Sequence, residues 1–78
     1  MLGEVLRRAR KKAKLTQEEL SFRAGLHRTY VSMLERDIKS PTLDVLFRLG
    51  DALGVRASKL VARVEAAQAK EKGQADGR

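Results

Sequence analysis

The feature that most constrains this chain is a twenty-residue stretch, 17–36, built around Gly25. Counted from Gln17, apolar residues take the fourth, eighth, tenth, fifteenth and eighteenth places, which are Leu20, Ala24, Leu26, Val31 and Leu34. Glycine takes the ninth place, where a residue that tolerates positive φ permits a sharp turn. The small Ser21, at the fifth place, allows a neighbouring helix to approach closely. This spacing predicts two short helices that cross steeply around a shared core.

Signals at the helix ends support the same arrangement. The run TQEE at 16–19 is a capping box, in which the Thr16 hydroxyl caps the Glu19 amide and the Glu19 carboxylate reaches back. A helix-turn-helix consists of two such helices joined by a short turn. We therefore predict a helix-turn-helix at about 16–36, with its helices at about 17–24 and 27–36.

Apolar residues spaced three and four apart predict three further helices. The first runs over about 2–12, the fourth lies between a Thr42 cap and Gly54, and the fifth begins near Ala57. Their apolar stripes are Leu2, Val5, Leu6, Ala9 and Ala13 in the first helix, Leu43, Leu46, Phe47, Leu49 and Leu53 in the fourth, and Leu60, Val61 and Val64 in the fifth. No strand is expected. The predicted fold is an all-α, compact five-helix bundle.

Length and composition narrow the possible functions. The chain has 78 residues, enough for one small domain, which we place at 1–67. The polar tail, 68–78, has no large apolar residue and is expected to fray or be disordered. The absence of cysteine excludes disulfides and thiolate metal sites, and one histidine cannot build a zinc site alone. Neither a signal peptide nor a membrane-spanning run is evident, so we expect a cytoplasmic protein.

The charge is strongly basic and unevenly distributed. Seventeen Lys and Arg residues against ten acidic residues give a net charge of +7. Residues 1–15 contain six basic side chains and only one acidic side chain, Glu4. Such a cluster is typical of a protein that binds a polyanion, most often nucleic acid, although a solvated helix face is an equally good explanation from charge alone.

The third predicted helix carries an unusual outer face. Thr29, Ser32, Met33 and Arg36 fall opposite its buried flank, with Arg28 at their edge, when residues are placed about 100° apart. Hydrogen-bonding groups, guanidinium groups and a thioether are suited to reading the edges of base pairs in the DNA major groove. An ordinary polar helix face is the alternative.

Several motifs resemble one known family. They are Arg10, LTQEEL at 15–20, AGLHRTYVSMLER at 24–36 and SPTLDVLFRLGDALGV at 40–55. Together they resemble the lambda-repressor-like, Xre-type DNA-binding domain over roughly residues 2–60, and GLHRTYVS is most similar to restriction–modification controller proteins. The resemblance implies a five-helix bundle whose third helix enters the major groove. It also implies a homodimer on a near-palindromic DNA operator.

The resemblance and the residue chemistry assign roles to individual side chains. For base readout we expect Arg28 and Thr29 first, followed by Ser32, Met33 and Arg36. For phosphate contacts we expect Gln17, His27, Tyr30, Lys39 and Ser40, of which Gln17, Lys39 and Ser40 follow from the resemblance. Core packing is an equal alternative for Tyr30.

Three further expectations concern structure and assembly. Arg10 and Glu35 each lie close to the apolar stripe of their helix, and either charge buried alone would be costly, so we expect a structural ion pair. Asp37 replaces a glycine that relatives commonly have at the end of the third helix, and we expect the turn to survive. The residues proposed for a dimer interface are Leu60, Val61 and Val64.

The function we predict is a sequence-specific, double-stranded-DNA-binding transcriptional regulator, with no cofactor, metal or small-molecule ligand. Its role remains open between a restriction–modification controller, a phage-type repressor and an antitoxin-type autoregulator. A different class is a protein–protein adaptor that uses Phe22 and the fifth helix as its interface. An enzyme is the poorest match, because the sequence has no histidine pair, carboxylate cluster or glycine-rich phosphate loop.

Overall fold

The computed structural model describes residues 1–71 and contains five α-helices, with no strand in that range. The helices are α1 (Leu2–Lys12), α2 (Gln17–Ala24), α3 (Arg28–Glu35), α4 (Leu43–Leu53) and α5 (Ala57–Glu71). The predicted all-α, five-helix fold is confirmed. No helix within residues 1–71 is long and apolar enough to cross a membrane.

The helix ends are formed by the residues that the sequence suggested. At the start of α2 the Thr16 hydroxyl accepts from the Glu19 amide at 3.0 Å, and the Glu19 carboxylate accepts from the Thr16 amide at 2.8 Å. Gly25 ends α2 with φ +70° and Gly54 ends α4 with φ +71°, a conformation that costs glycine little. The Thr42 hydroxyl caps α4 by accepting from the Val45 amide at 3.1 Å.

All five helices contribute to one core. Its fully buried side chains are Leu6, Leu20, Val31, Leu34, Leu49 and Leu60. Helix α1 packs against α3 and α5, α2 packs against α3 and α4, and α4 packs against α5. The consequence for function is that α3 is held on one side by α1 and α2, while its opposite side stays available.

The junction between α1 and the end of α3 is especially close. A Cβ atom on Gly3 would collide with the backbone carbonyl oxygen of Glu35, so only glycine fits there. Asp37 adopts φ +59°, and the predicted turn after α3 is therefore present. Its carboxylate also accepts from the Gly3 amide at 2.9 Å and from the Met1 ammonium at 2.9 Å. These two bonds tie the first turn of α1 to the end of α3.

Helix α5 is longer than the polar composition of its end suggested. It continues through Glu71, into the segment that we expected to fray. Alanine, glutamine, lysine and glutamate are good helix formers, which explains how the helix persists without large apolar residues. The remaining part of the expected tail, 72–78, lies outside the described residues.

Candidate nucleic-acid interface

The outward side of α3 carries the five residues predicted to read bases. Arg28, Thr29 and Arg36 are exposed, whereas Ser32 and Met33 are half-buried. On an ideal helix these five positions cover about 140° of the circumference. Val31 and Leu34, on the other side of the same helix, are fully buried. The core therefore fixes the orientation of α3 and leaves a polar edge facing solvent.

The first turn of α3 presents unfilled hydrogen-bond donors. Within residues 1–71, no side chain caps this helix, although His27 occupies the cap position with an extended backbone. The first turn contains no acidic residue. Since the first amides of a helix have no partner inside it and carry partial positive charge, this end of α3 favours an anionic group.

The expected ion pair joins α1 to α3. The Arg10 guanidinium donates from Nε to Glu35 Oε2 at 2.6 Å and from Nη2 to Glu35 Oε1 at 3.1 Å. Arg10 also donates from Nη1 to the Leu15 carbonyl oxygen at 2.9 Å. The side chains are 11% and 3% exposed, so this two-pronged pair is almost dry and its partners depend on each other.

Gln17, the first residue of α2, belongs to the same cluster. Its Nε2 donates to Glu35 Oε1 at 3.1 Å, and the residue is half-buried. This bond was not predictable from the sequence, because it joins residues eighteen positions apart and depends on how α2 packs against α3. One carboxylate thus connects α1, the start of α2 and the end of α3.

Of the other residues predicted to touch phosphate, Tyr30 lies on α3 itself, and the rest lie in the segments just before and after that helix. Lys39 and Ser40 are exposed in the loop between α3 and α4, and His27 is exposed just before α3. Tyr30 is half-buried and packs against the core, and its phosphate contact stays a prediction.

The predicted dimer residues need a correction. Leu60 is fully buried in the core of a single chain, because the apolar stripe of α5 turns it toward the other helices. It is therefore not available to a second copy. Val61 is 40% exposed, and Val64 is half-buried against the core.

The structure exposes apolar residues that the sequence did not single out for a surface role. Leu43 and Phe47, one turn apart on α4, are 65% and 54% exposed. Phe22 on α2, which was singled out for the adaptor alternative, is 87% exposed. Helical spacing placed Leu43 and Phe47 on the apolar side of α4, but only the packing of α4 against its neighbours decides which part of that side is covered.

Comparison with known proteins identifies the family. The helix-turn-helix family model HTH_3 matches residues 6–60 of the chain. An uncharacterised helix-turn-helix-type transcriptional regulator of Sinorhizobium fredii is 41% identical over 61 residues, which cover 78% of this chain and 79% of that protein. Control protein C.BamHI of Bacillus amyloliquefaciens is 37% identical over 62 residues, covering 78% of this chain and 76% of that protein.

Solved structures agree with the sequence relatives. The restriction–modification controller protein C.AhdI from Aeromonas hydrophila matches with a TM-score of 0.74 and 36% identity, over 76% of this chain and 89% of that one. The master regulator for biofilm formation SinR, solved in complex with DNA, matches with a TM-score of 0.75 and 27% identity, over 78% of this chain and 98% of that one. The chain belongs to the Xre-like helix-turn-helix family of DNA-binding transcriptional regulators.

Proposed function

We propose that this regulator recognises a specific double-stranded DNA operator by inserting α3 into the major groove. The observation that carries the proposal is the exposed edge of α3, where Arg28 and Thr29 stand at the free end of a helix whose inner side is fully buried. Residues near the start of a recognition helix contact base edges, and an arginine can bind guanine O6 and N7 with two hydrogen bonds. Ser32, Met33 and Arg36 extend this reading edge.

Phosphate contacts on both sides of α3 would fix its register in the groove. Gln17 lies at the first turn of α2, while Lys39 and Ser40 lie in the loop that follows α3. His27 and Tyr30 flank the start of the helix as further candidates. Such contacts set position and orientation without reading sequence.

The regulator acts, in this proposal, as a homodimer on a near-palindromic operator. A dimer would place two copies of α3 about 34 Å apart, one turn of DNA. The exposed apolar side chains of Val61, Leu43 and Phe47 are the residues that a second copy would cover. Sedimentation equilibrium tests this: Val61→Lys and Phe47→Ser should each weaken self-association, and unchanged self-association in both would rule out this surface.

The biological role that we propose is control of a restriction–modification system. Two observations favour it: the 37% identity to C.BamHI, a control protein, and the structural match to C.AhdI, a controller protein. A cytoplasmic, nucleoid-associated location would follow. An antitoxin-type autoregulator and a phage-type repressor are the alternatives within the same DNA-binding class.

A protein–protein adaptor is the second candidate function. Phe22, at 87% exposed, is the observation that favours it, since a large aromatic side chain on an outer helix face can anchor a partner. This surface lies on α2 and does not include the outward edge of α3.

Binding to duplex DNA at two salt concentrations separates these functions. We expect the wild-type chain to shift random duplex at low salt and to lose affinity steeply as salt rises, because each neutralised phosphate releases counterions. Selection from a randomised duplex library should then yield one enriched, near-palindromic site. If the folded protein ignores every duplex at low salt, the DNA-binding proposal fails and the adaptor remains.

A further inference from the structure

The buried carboxylate of Glu35 has more partners than an ion pair requires. It accepts three N–H groups: Nε and Nη2 of Arg10, at 2.6 and 3.1 Å, and Nε2 of Gln17 at 3.1 Å. Nη2 of Arg10 and the side-chain Nε2 of Gln17 both donate to Oε1 of Glu35. With only 3% of its side chain exposed, this carboxylate is fixed by the core of the molecule.

The bond to Glu35 restricts the Gln17 side chain. A carboxamide carries two N–H donors on one planar nitrogen, so holding one of them fixes the plane and the direction of the other. Gln17 is half-buried, and it stands where the first amides of α2 have no partner inside the helix. Its second N–H is therefore pre-oriented beside the backbone amides of Gln17 and Glu18, which precede the capped Glu19 amide and have no acceptor inside the helix.

We propose that Glu35 is a positioning residue for the DNA backbone contact of Gln17, in addition to being the counter-ion of Arg10. This inference rests on the proposed DNA-binding function. A glutamine that is already held does not lose its rotational freedom when it binds phosphate. Immobilising one free side chain weakens binding by about two- to tenfold, and Glu35 removes that loss.

The two roles of Glu35 are distinguished by how its substitution combines with Gln17→Ala. Glu35→Gln removes a negative charge, which by itself would leave affinity for DNA equal or higher, whereas loss of the anchoring ion pair alone would weaken binding to the same degree with or without the Gln17 side chain. If Glu35 positions Gln17, affinity decreases, because a single amide oxygen replaces two carboxylate oxygens and cannot hold all three donors.

The experiment measures affinity of the full chain for random-sequence duplex at low salt, by fluorescence anisotropy, at a temperature where circular dichroism shows each variant folded. We expect Gln17→Ala to weaken binding about fivefold, the equivalent of one hydrogen bond. Glu35→Gln should weaken it two- to tenfold as well. The double variant should bind no more weakly than the weaker single variant, since both remove the same contact.

Two controls distinguish a positioning effect of Glu35 from an effect of its charge and from an effect of lower protein stability. Glu65→Gln makes the same chemical change at an exposed site of α5 and should leave affinity equal or slightly higher. Arg10→Met removes the ion pair but not the bond from Gln17, so Gln17→Ala should still cost about fivefold in that background.

A second variant covers the case in which Glu35→Gln does not fold. Glu35→Asp keeps the charge opposite Arg10 but is one methylene shorter, so it releases Gln17 and should show the same two- to tenfold loss. Equal or tighter binding by Glu35→Gln or Glu35→Asp, or additive losses in the double variant, would overturn the inference. Failure of the wild-type chain to bind any duplex would instead overturn the proposed function.

Discussion

The two ends of α3 are built in opposite ways. At the carboxyl end, Glu35 is bound to Arg10 and Gln17, Gly3 packs against the Glu35 backbone, and Asp37 accepts two hydrogen bonds. At the amino end, within the described residues, His27 makes no side-chain cap, and Arg28 and Thr29, which follow it, are exposed.

Because of this difference, the two ends of the eight-residue helix α3 serve different purposes. The anchored end fixes the direction in which the helix points, since it is tied to both α1 and α2. The free end keeps its backbone amides and side chains available for a partner. Substitutions at the anchored end should therefore change stability most, and substitutions of the exposed side chains at the free end should change recognition most.

The largest effect is expected at the anchored end. Arg10→Met should lower the free energy of unfolding by about 3–5 kcal/mol, because it leaves the buried Glu35 carboxylate without its counter-ion. Binding to all DNA sequences should weaken alike. Thermal unfolding followed by circular dichroism measures the change in stability. Binding to operator and random duplex measures the change in affinity for DNA.

Arg8→Met is the matched control for this substitution. Arg8 also lies on α1 and also pairs with a glutamate, Glu4, at 2.9 Å, but both side chains are largely exposed. Its loss should change stability by less than about 1 kcal/mol. Equal effects of the two substitutions would show that the buried pair is not an anchor.

The next largest effect is expected at the free, amino-terminal end of α3. Arg28→Ala should weaken binding to the operator by about 1–3 kcal/mol, concentrated at one base pair, and should leave thermal stability unchanged because the side chain is exposed. Binding to operators with that base pair substituted measures the effect. An equal loss on every sequence would mean that Arg28 touches phosphate and does not read a base.

Local features of the fold could be predicted from the sequence. The capping box at Thr16, the turns at Gly25 and Gly54, and the helix bounds depend on neighbouring residues and on apolar spacing, and the structure has them within one residue of the prediction for α1 to α4. The outward edge of α3 was predictable for the same reason, since the buried positions Val31 and Leu34 define it.

Most features that depend on how helices meet could not be predicted; the Arg10–Glu35 pair is the exception, because each charge lies beside the apolar stripe of its own helix. The bond from Gln17 to Glu35 spans eighteen positions and that from Gly3 to Asp37 spans thirty-four. The exposure of Phe47 and the burial of Leu60 follow from the crossing of α4 and α5, and spacing along one helix does not fix that crossing. The sequence therefore predicts the outward edge of α3 and the ion pair behind it, but not the bonds from Gln17 and Gly3 that complete the network.

A smaller effect should come from giving the free end a cap. His27→Ser places a hydroxyl where it can accept from the Tyr30 amide, and it should raise the free energy of unfolding by about 0.5–1 kcal/mol. Chemical denaturation measures the change. His27→Ala, which provides no acceptor, is the control; equal stability of the two variants would show that this end is not open to capping.

The smallest effect is a pH dependence at Asp37. The hydrogen bond from the Met1 ammonium, and then that from the Gly3 amide, hold the pKa of Asp37 below its usual value of 3.8. A carboxyl whose pKa is lower in the folded state stabilises the protein above the unfolded pKa, and this contribution is lost as pH falls toward the folded pKa. Asp37→Asn should therefore cost about 0.5 kcal/mol at pH 6, a figure kept small because solvent screens a side chain that is 48% exposed, and it should cost less at pH 3.

Comparing the stability cost of Asp37→Asn at the two pH values separates the contribution of the carboxylate charge from that of the backbone conformation. Asparagine adopts positive φ at least as readily as aspartate, and that contribution is the same at both pH values, so only the difference between them reports the carboxylate. Denaturation curves of the wild type and the variant at each pH give this difference. A cost that does not change with pH would mean that the turn geometry, and not the two hydrogen bonds, is what Asp37 supplies to the anchored end of α3.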